Sequence, residues 1–343
     1  MSGSPRCPSS AGGPRTSCCA GSSPPRADAR SATPPPWSRL STSTVRPRCS
    51  LTRPNLADAV GRLSIVVTEA ATNILRHAQA KNLLVRLQVS SEHAKLSLAS
   101  KFGAEPDEVK ALLLAARQAA DALGICFHVG SQAMTAAAYG EAMERVRAAI
   151  VAAAVTVDIV DVGGGFPSCY PGMEPPPLET YFEVIHRAFE DLPISYSAEL
   201  WCEPGRALCA EYASLVVRVE KRRGAELYIN DGAYGALFDA AHIGWRYPVR
   251  RLRERESGVR TMEFSFYGPT CDDLDHMAGP FELPADVGAG DYIEVGMLGA
   301  YGCAMRTRFN GFGVETTELV DDEPMASLYG AAEAPERSNV VQL

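Results

Sequence analysis

Two different spacings of apolar residues follow one another along this chain. Between residues 55 and 211, short apolar runs alternate with longer segments in which apolar residues recur at helical spacing. The apolar runs predict strands at 63–67, 83–89, 125–129, 157–162 and 197–202. The intervening segments predict helices at 69–80, 106–123, 133–153 and 178–192. The helix at 106–123 has Pro106 at its start, acids Asp107 and Glu108 in its first turn, and Gly124 at its end. Strand–helix alternation of this kind is typical of a β/α barrel, whose functional residues lie at the carboxyl ends of the strands.

The pattern changes after residue 211 to one in which strands dominate. Strands are predicted at 214–220, 226–230, 263–267 and 292–295. We therefore predict an α/β chain in which a partial β/α TIM-type barrel over residues 55–211 precedes a β-rich C-terminal domain over 212–320, with a tail at 321–343. The barrel is called partial because a closed one has eight strands.

The first 54 residues differ in composition from everything that follows. They contain twelve Ser, ten Pro and eight Arg, but one acidic residue and no Lys. Such a segment buries too little apolar surface to offset its conformational entropy, so it is predicted to be disordered. The same composition also results when a GC-rich gene is read out of frame, and the sequence leaves both explanations open.

Charge and cysteine spacing exclude several classes of protein. A net charge of -8 argues against a general nucleic-acid binder. No run of about 18 apolar residues is present, so no membrane span is expected. The ten cysteines lack CxxC pairs and metal-ligand spacing. We expect a cytoplasmic protein with reduced thiols and no metal.

Two motifs at predicted strand ends carry candidate chemistry. In DVGGGFP, residues 161–167, three glycines follow an apolar strand. Their backbone N–H groups can close on an anion without a Cβ clash, although a tight turn would use the same residues. In EPGR, residues 203–206, a carboxylate and a guanidinium stand three residues apart. These two side chains could equally form a local ion pair.

These motifs occur in order with FHVGSQ at 127–132 and GPTCDDLD at 268–275. Together the four resemble the fold-type-III, pyridoxal-phosphate-dependent decarboxylases of basic amino acids, the ornithine/lysine decarboxylase family. The resemblance extends from about Ile65 to Gly313. It implies a lyase that converts ornithine or lysine to a diamine, putrescine or cadaverine, in polyamine biosynthesis. It also implies a homodimer with shared active sites that binds a small basic amino acid.

The resemblance assigns a role to each motif residue. Cofactor-binding roles fall on Arg86, His128, Ser131, Gly163, Gly164, Gly165, Glu203, Gly205, Arg206 and Tyr301. Within this set, His128 stacks on the cofactor ring, Glu203 pairs with the pyridinium nitrogen, and Arg206 holds the phosphate. His128 and Cys271 are the catalytic residues, and Cys271 protonates the carbon that has lost carbon dioxide. The substrate-binding residues are Asp272, Asp239 and Tyr234.

One family residue has no counterpart. The family carries its cofactor on a lysine of an early barrel strand, in a motif like YAVKAN, and this motif is not found here. Lys101 lies in SKFGA, a family motif with its own place in the barrel, and Lys81 precedes a strand that already has a counterpart. Because loss of a covalent nucleophile costs orders of magnitude in rate, we expect little activity. Because an open barrel exposes strand edges and core, we also expect marginal folding.

Two alternative functions remain open. The missing lysine favours a non-catalytic regulatory or partner-binding relative of the same fold. Residues 66–77 also resemble the N-box helix of histidine-kinase-like ATPases, in which Glu69 would activate water and Asn73 would hold magnesium. The sequence is compatible with either ornithine or lysine as the substrate.

Overall fold

The computed structural model describes residues 82–253, 258–313 and 316–326. The N-terminal segment 1–54, the strand predicted at 63–67 and the helix predicted at 69–80 lie outside the described residues. Most of the predicted tail, from residue 327 onward, also lies outside them. Within the described part, no helix is long and apolar enough to cross a membrane.

The first part of the chain alternates strands and helices, as predicted. Its elements are β1 (Asn82–Arg86), β2 (Ala94–Leu96), α1 (Pro106–Ala119), β3 (Ala122–Cys126), β4 (Ser131–Ala133), α2 (Ala137–Ala153), β5 (Ile159–Asp161), α3 (Leu178–Glu190), β6 (Glu199–Trp201) and α4 (Gly205–Cys209). Four of the strands form a parallel sheet in the order β1-β3-β5-β6. The short strands β2 and β4 pair with each other in antiparallel fashion.

The two faces of the parallel sheet differ in character. Val85, Ile125 and Val160 belong to the apolar core that α1, α2 and α3 complete. On the opposite face the last residues of the strands, including Arg86 and Asp161, carry the polar side chains. Because successive residues of a strand point to opposite faces, these polar side chains point away from the apolar core. Because they end their strands, they lie at the carboxyl edge of the sheet, where a barrel has its site.

The helix predicted at 106–123 is shorter than the sequence suggested. It begins at Pro106, with Asp107 and Glu108 in its first turn, but ends at Ala119 rather than Leu123. Gly124, expected to end this helix, lies inside β3. A Cβ on Gly124 would lie 2.7 Å from the Cγ of Leu84 on β1, so this glycine makes room for a side chain of the adjacent strand. The prediction that Gly124 ends the helix is therefore wrong.

The second part is built on one mixed sheet. Its elements are β7 (Leu215–Arg223), β8 (Glu226–Ile229), α5 (Phe238–His242), β9 (Val249–Leu252), β10 (Thr261–Tyr267), β11 (His276–Pro284), β12 (Tyr292–Val295) and α6 (Gly302–Met305). The strand order is β11-β10-β8-β7-β12-β9. All four strands predicted here are present, and this part has an apolar core of its own.

Candidate active site

Four residues form a row across the carboxyl edge of the parallel sheet. Arg86 pairs in register with Cys126, Cys126 with Asp161, and Asp161 with Trp201. Asp161 is buried, and burial raises the pKa of its carboxyl although Arg86 acts to lower it. Burial and then Asp161 raise the pKa of the Cys126 thiol to about 12, so this cysteine stays protonated. Arg86 is the positive charge of the row.

His128 follows β3 and is held as a neutral ring. The backbone N–H of Gly130 donates to its Nδ1 at 3.1 Å, which leaves the ring proton on Nε2. Burial first, and then Arg86, lower the pKa of His128 to about 4. A Cβ on Gly164 would lie 3.0 Å from His128 Nε2, so the imidazole packs against the glycine loop.

The glycine loop, residues 163–165, uses all three of its glycines. A Cβ on Gly163 would lie 2.0 Å from the carbonyl oxygen of Phe127, and one on Gly165 would lie 2.3 Å from that of Gly130. Both glycines have positive φ, of 66° and 105°. The carbonyls of Gly164 and Gly165 accept hydrogen bonds from Tyr139 Oη and Ala133 N. Across the described residues the N–H groups of Gly164 and Gly165 have no protein acceptor, as in an anion-binding nest, whereas the N–H of Gly163 donates to Asp161 Oδ1 at 2.8 Å.

Arg206, on α4, is a buried cation without a carboxylate partner. It is 5% exposed. Its Nε and Nη2 donate to Ser131 Oγ at 3.4 and 3.3 Å, and its Nη1 donates to Tyr170 Oη at 3.1 Å. Over the described ranges no carboxylate lies within 4.0 Å of the guanidinium, so the alternative of a local ion pair with Glu203 is not formed. A buried charge of this kind calls for a counter-charge, which an anionic ligand can supply.

Two aromatic rings from the β-rich part enclose the guanidinium of Arg206. Its central carbon lies 4.4 Å from the ring centroid of Trp245 and 4.6 Å from that of Tyr301. Tyr301 is half exposed, and its φ of 66° places a bulky residue in the left-handed region. Strain of this kind concentrates at binding sites. We call Ser131, Arg206, Tyr301 and residues 163–165 the anion cradle.

Glu203 and Gly205 complete the barrel side of the site. The N–H of Glu203 donates to the carbonyl of Gly163 at 2.8 Å, which ties the EPGR segment to the glycine loop. The Glu203 residue is exposed overall, but its carboxyl is partly desolvated. This desolvation and then the charge of Asp161 raise the pKa of Glu203, and Arg86 acts to lower it. Nothing lies within 4 Å of a Cβ placed on Gly205, so the fold does not require glycine there for space.

A second cluster lies in the β-rich part, on the loop between β10 and β11. We call residues 268–275 the Cys271 loop. Cys271 is exposed, and Asn310 Nδ2 donates to its sulfur at 3.5 Å. The hydroxyl of Tyr234 donates to Asp272 Oδ2 in a short hydrogen bond. This bond, and then the N–H of Leu274, hold the pKa of the Asp272 carboxyl below its usual range.

Asp275 anchors the Cys271 loop from inside. Its carboxylate is buried and accepts from the N–H of Ala233 at 2.7 Å, the N–H of Thr270 at 3.1 Å and the hydroxyl of Thr270 at 2.7 Å. Cβ atoms on Gly232 or Gly268 would each lie 2.1 Å from the same carboxylate. Asp275 therefore fixes the base of the loop.

Asp239 and Asp272 have different neighbours within one chain. Asp239, on α5, is buried, and burial raises its pKa while Arg206 and His242 lower it. Asp239 is thus beside the anion cradle. Asp272 has Tyr234 and Leu274 as its partners instead.

Residues 55–210 match the family model "Pyridoxal-dependent decarboxylase, pyridoxal binding domain". The chain belongs to this decarboxylase family. The matched range contains His128, the glycine loop and Arg206, and so covers the barrel side of the anion cradle.

Proteins similar to this decarboxylase-family chain include enzymes and a regulator. It is 34% identical over 251 residues to the lysine/ornithine decarboxylase of Selenomonas ruminantium, covering 71% of this chain and 62% of that protein. It is 30% identical over 270 residues to antizyme inhibitor 2 of Xenopus laevis, covering 69% of this chain and 56% of that protein.

A solved structure agrees on the fold. The arginine decarboxylase of Paramecium bursaria Chlorella virus bound to agmatine superposes with a TM-score of 0.62 at 28% identity, covering 72% of this chain and 68% of that one. Such structural neighbours have a TIM barrel and a β-sheet domain, as predicted for this chain. The chain thus spans between 56% and 68% of the length of these relatives.

Sequence reasoning missed four residues of this decarboxylase-family site. Tyr170 and Trp245 contact the guanidinium of Arg206, whereas Asp275 and Asn310 hold the Cys271 loop. Asp275 stood in the quoted motif GPTCDDLD without a role. Leu274 and His276 are its neighbours in sequence, and the glycines near its carboxylate are brought there by the fold, so no local signal pointed to Asp275, Tyr170 or Trp245.

Proposed function

We propose that this chain binds pyridoxal phosphate and, as a homodimer with shared active sites, decarboxylates a small basic amino acid, ornithine or lysine, to a diamine. The observation that carries the proposal is the buried guanidinium of Arg206, which donates to Ser131 of the anion cradle and has no carboxylate at ion-pair distance among the described residues. A cation, a hydroxyl and free N–H groups are the donors that hold a phosphate.

The residues present fit the rest of the cofactor as well. His128 is neutral and packs on the glycine loop, so its flat face is suited to a ring held there. Glu203 stands at the end of β6, where its carboxylate would hold a pyridinium nitrogen. When bound, this cofactor supplies the electron sink that the loss of carbon dioxide requires.

The substrate end of the proposal requires two copies of the chain. Asp239 and Asp272 have different surroundings within one chain. A homodimer in which the Cys271 loop of one copy enters the site of the other would place both carboxylates around the distal amino group of the substrate. Cys271 Sγ would then deliver a proton to the α-carbon after decarboxylation.

We further propose that turnover is low because the family lysine is missing. The described lysines are Lys95, Lys101, Lys110 and Lys221. Within the described part, the cation that shifts the pKa of His128, Asp161 and Glu203 is Arg86, and no lysine does so. Lys81 lies outside the described residues.

Long incubation with ornithine or lysine, followed by mass-spectrometric detection of the diamine, tests this function. The full chain with pyridoxal phosphate should form diamine at several orders of magnitude below the roughly 10 per second of a typical enzyme. Replacement of Cys271 by Ser should abolish that product, whereas replacement of Cys209, another exposed cysteine, should not. Equal product from wild type and Cys271→Ser would contradict the proposal.

A second candidate is a non-catalytic, partner-binding relative. Its support is the similarity to antizyme inhibitor 2 together with the missing lysine motif. This candidate predicts that no diamine forms, whether or not pyridoxal phosphate binds. The ATPase alternative has weaker support, because the family model matches residues 55–210 and so includes the segment 66–77 that resembles the N-box helix.

A further inference from the structure

Trp245 is buried, although its indole N–H has no hydrogen-bond acceptor among the described residues. The residue is 1% exposed. A buried unsatisfied donor destabilises the fold, and phenylalanine would fill much of the same space without it. The position therefore has another use for the indole, and its contacts show which one.

The face of the indole contacts a cation. The guanidinium carbon of Arg206 lies 4.4 Å from the Trp245 ring centroid. Tryptophan is the best aromatic partner for a cation, and the attraction is strongest where water is excluded. Because Arg206 has no carboxylate within ion-pair distance in the described part of the chain, the indole face stands where a counter-ion otherwise would.

Neighbouring rings fix the orientation of this contact. Tyr170 meets Trp245 edge to face, with centroids 5.2 Å apart, and its hydroxyl accepts from Arg206 Nη1. Tyr301 lies over the same guanidinium at 4.6 Å. The Nε and Nη2 of Arg206 are left to point at Ser131, on the cradle side.

We propose that Trp245 is a positioning residue for phosphate recognition. The face of its ring holds the guanidinium of Arg206 toward Ser131, and Trp245 itself does not touch the ligand. A carboxylate in its place would neutralise Arg206 and compete with the phosphate, whereas a ring orients the charge and leaves it available. This inference rests on the proposed binding of pyridoxal phosphate.

Affinities for pyridoxal phosphate and for pyridoxal, which lacks the phosphate, test the inference in the full chain. Equilibrium dialysis of wild type, Trp245→Leu and Trp245→Phe would give both constants. We expect Trp245→Leu to bind pyridoxal phosphate about tenfold more weakly and Trp245→Phe about threefold more weakly, since phenylalanine is a poorer cation partner. Binding of pyridoxal should not change in either variant.

Tyr247→Phe is the matched control. Tyr247 is buried against Tyr170, and in the described residues its hydroxyl has no partner, but its ring does not lie over Arg206. This variant should bind both ligands as wild type does. Thermal unfolding of every variant identifies any that fails to fold, and if Trp245→Leu does, the selective loss in Trp245→Phe remains decisive.

The outcomes separate this inference from the proposed function. If wild type binds pyridoxal phosphate no better than pyridoxal, the proposed function fails. If wild type prefers the phosphate ester and folded Trp245 variants keep that preference, or lose both ligands equally, Trp245 only fills space and the inference is overturned.

Discussion

The anion cradle and the Cys271 loop are both parts of the proposed active site, yet they are built differently. Arg206 is 5% exposed and is enclosed by Ser131, Tyr170, Trp245 and Tyr301 of the same chain. Cys271 is exposed, and its sulfur has one hydrogen-bond donor, Asn310. One chain therefore encloses the proposed phosphate site, whereas the sulfur of the proposed proton donor is exposed.

Replacement of Gly163 by Ala should break the cradle side of this comparison most severely. The new Cβ would lie 2.0 Å from the carbonyl oxygen of Phe127, at a φ of 66°. We expect a loss of about 4 kcal/mol in the free energy of unfolding, or no folding at all. Urea titration followed by circular dichroism measures this loss.

Gly172→Ala is the control for that variant. Gly172 has a similar φ of 73°, but nothing lies within 4 Å of its Cβ position. It should lose about 1 kcal/mol, the cost of the backbone conformation alone. Equal losses in the two variants would show that the close contact at Gly163 is not what the fold depends on.

Replacement of Asp275 by Ala should release the Cys271 loop while sparing the cradle. Two backbone N–H groups and a hydroxyl would lose their acceptor, which costs about 3 kcal/mol. Hydrogen exchange should rise at residues 268–275, with unchanged affinity for pyridoxal phosphate. Asp273→Ala, at an exposed neighbour, should alter neither measurement. Weaker cofactor binding in Asp275→Ala would mean that the two regions are coupled within one chain.

His128 should give the smallest effect, which appears as a dependence of stability on pH. Its pKa is about 4 in the folded chain and about 6.5 as a free side chain, so the unfolded chain takes up the proton first as pH falls. Stability is thus fully present above about pH 6.5 and declines toward pH 4, by about 2 kcal/mol for this half-buried ring. The difference between wild type and His128→Gln in urea titrations at several pH values measures it. Parallel profiles would show that the ring is not desolvated.

The sequence predicted elements well where periodicity and end signals agreed. Pro106 and the acids that follow it placed the start of α1 correctly. Gly124 misled, because its lack of a side chain serves the packing of Leu84 on the adjacent strand and not the end of a helix. The strand β11 was missed because Gly279-Pro280 within it has the composition of a turn.

The motifs predicted which residues bear charge at the site but not what surrounds them. Arg206 was identified from EPGR, yet its contacts Tyr170 and Trp245 stand 36 and 39 residues away on other elements. No local spacing relates such residues, because their contact depends on how the β-rich part packs beside the barrel part. The different neighbours of Asp239 and Asp272 could not be predicted for the same reason.

The guanidinium of Arg206 also has a consequence for how the chain unfolds. The two parts of the molecule have separate apolar cores, but Tyr170 of the barrel part is packed in the core of the β-rich part beside Trp245. If either part unfolds, the contacts of Tyr170, Trp245 and Tyr301 with the Arg206 guanidinium are therefore lost. A ligand bound at Arg206 would stabilise both parts together, so both should melt in one transition whose midpoint temperature rises with ligand concentration.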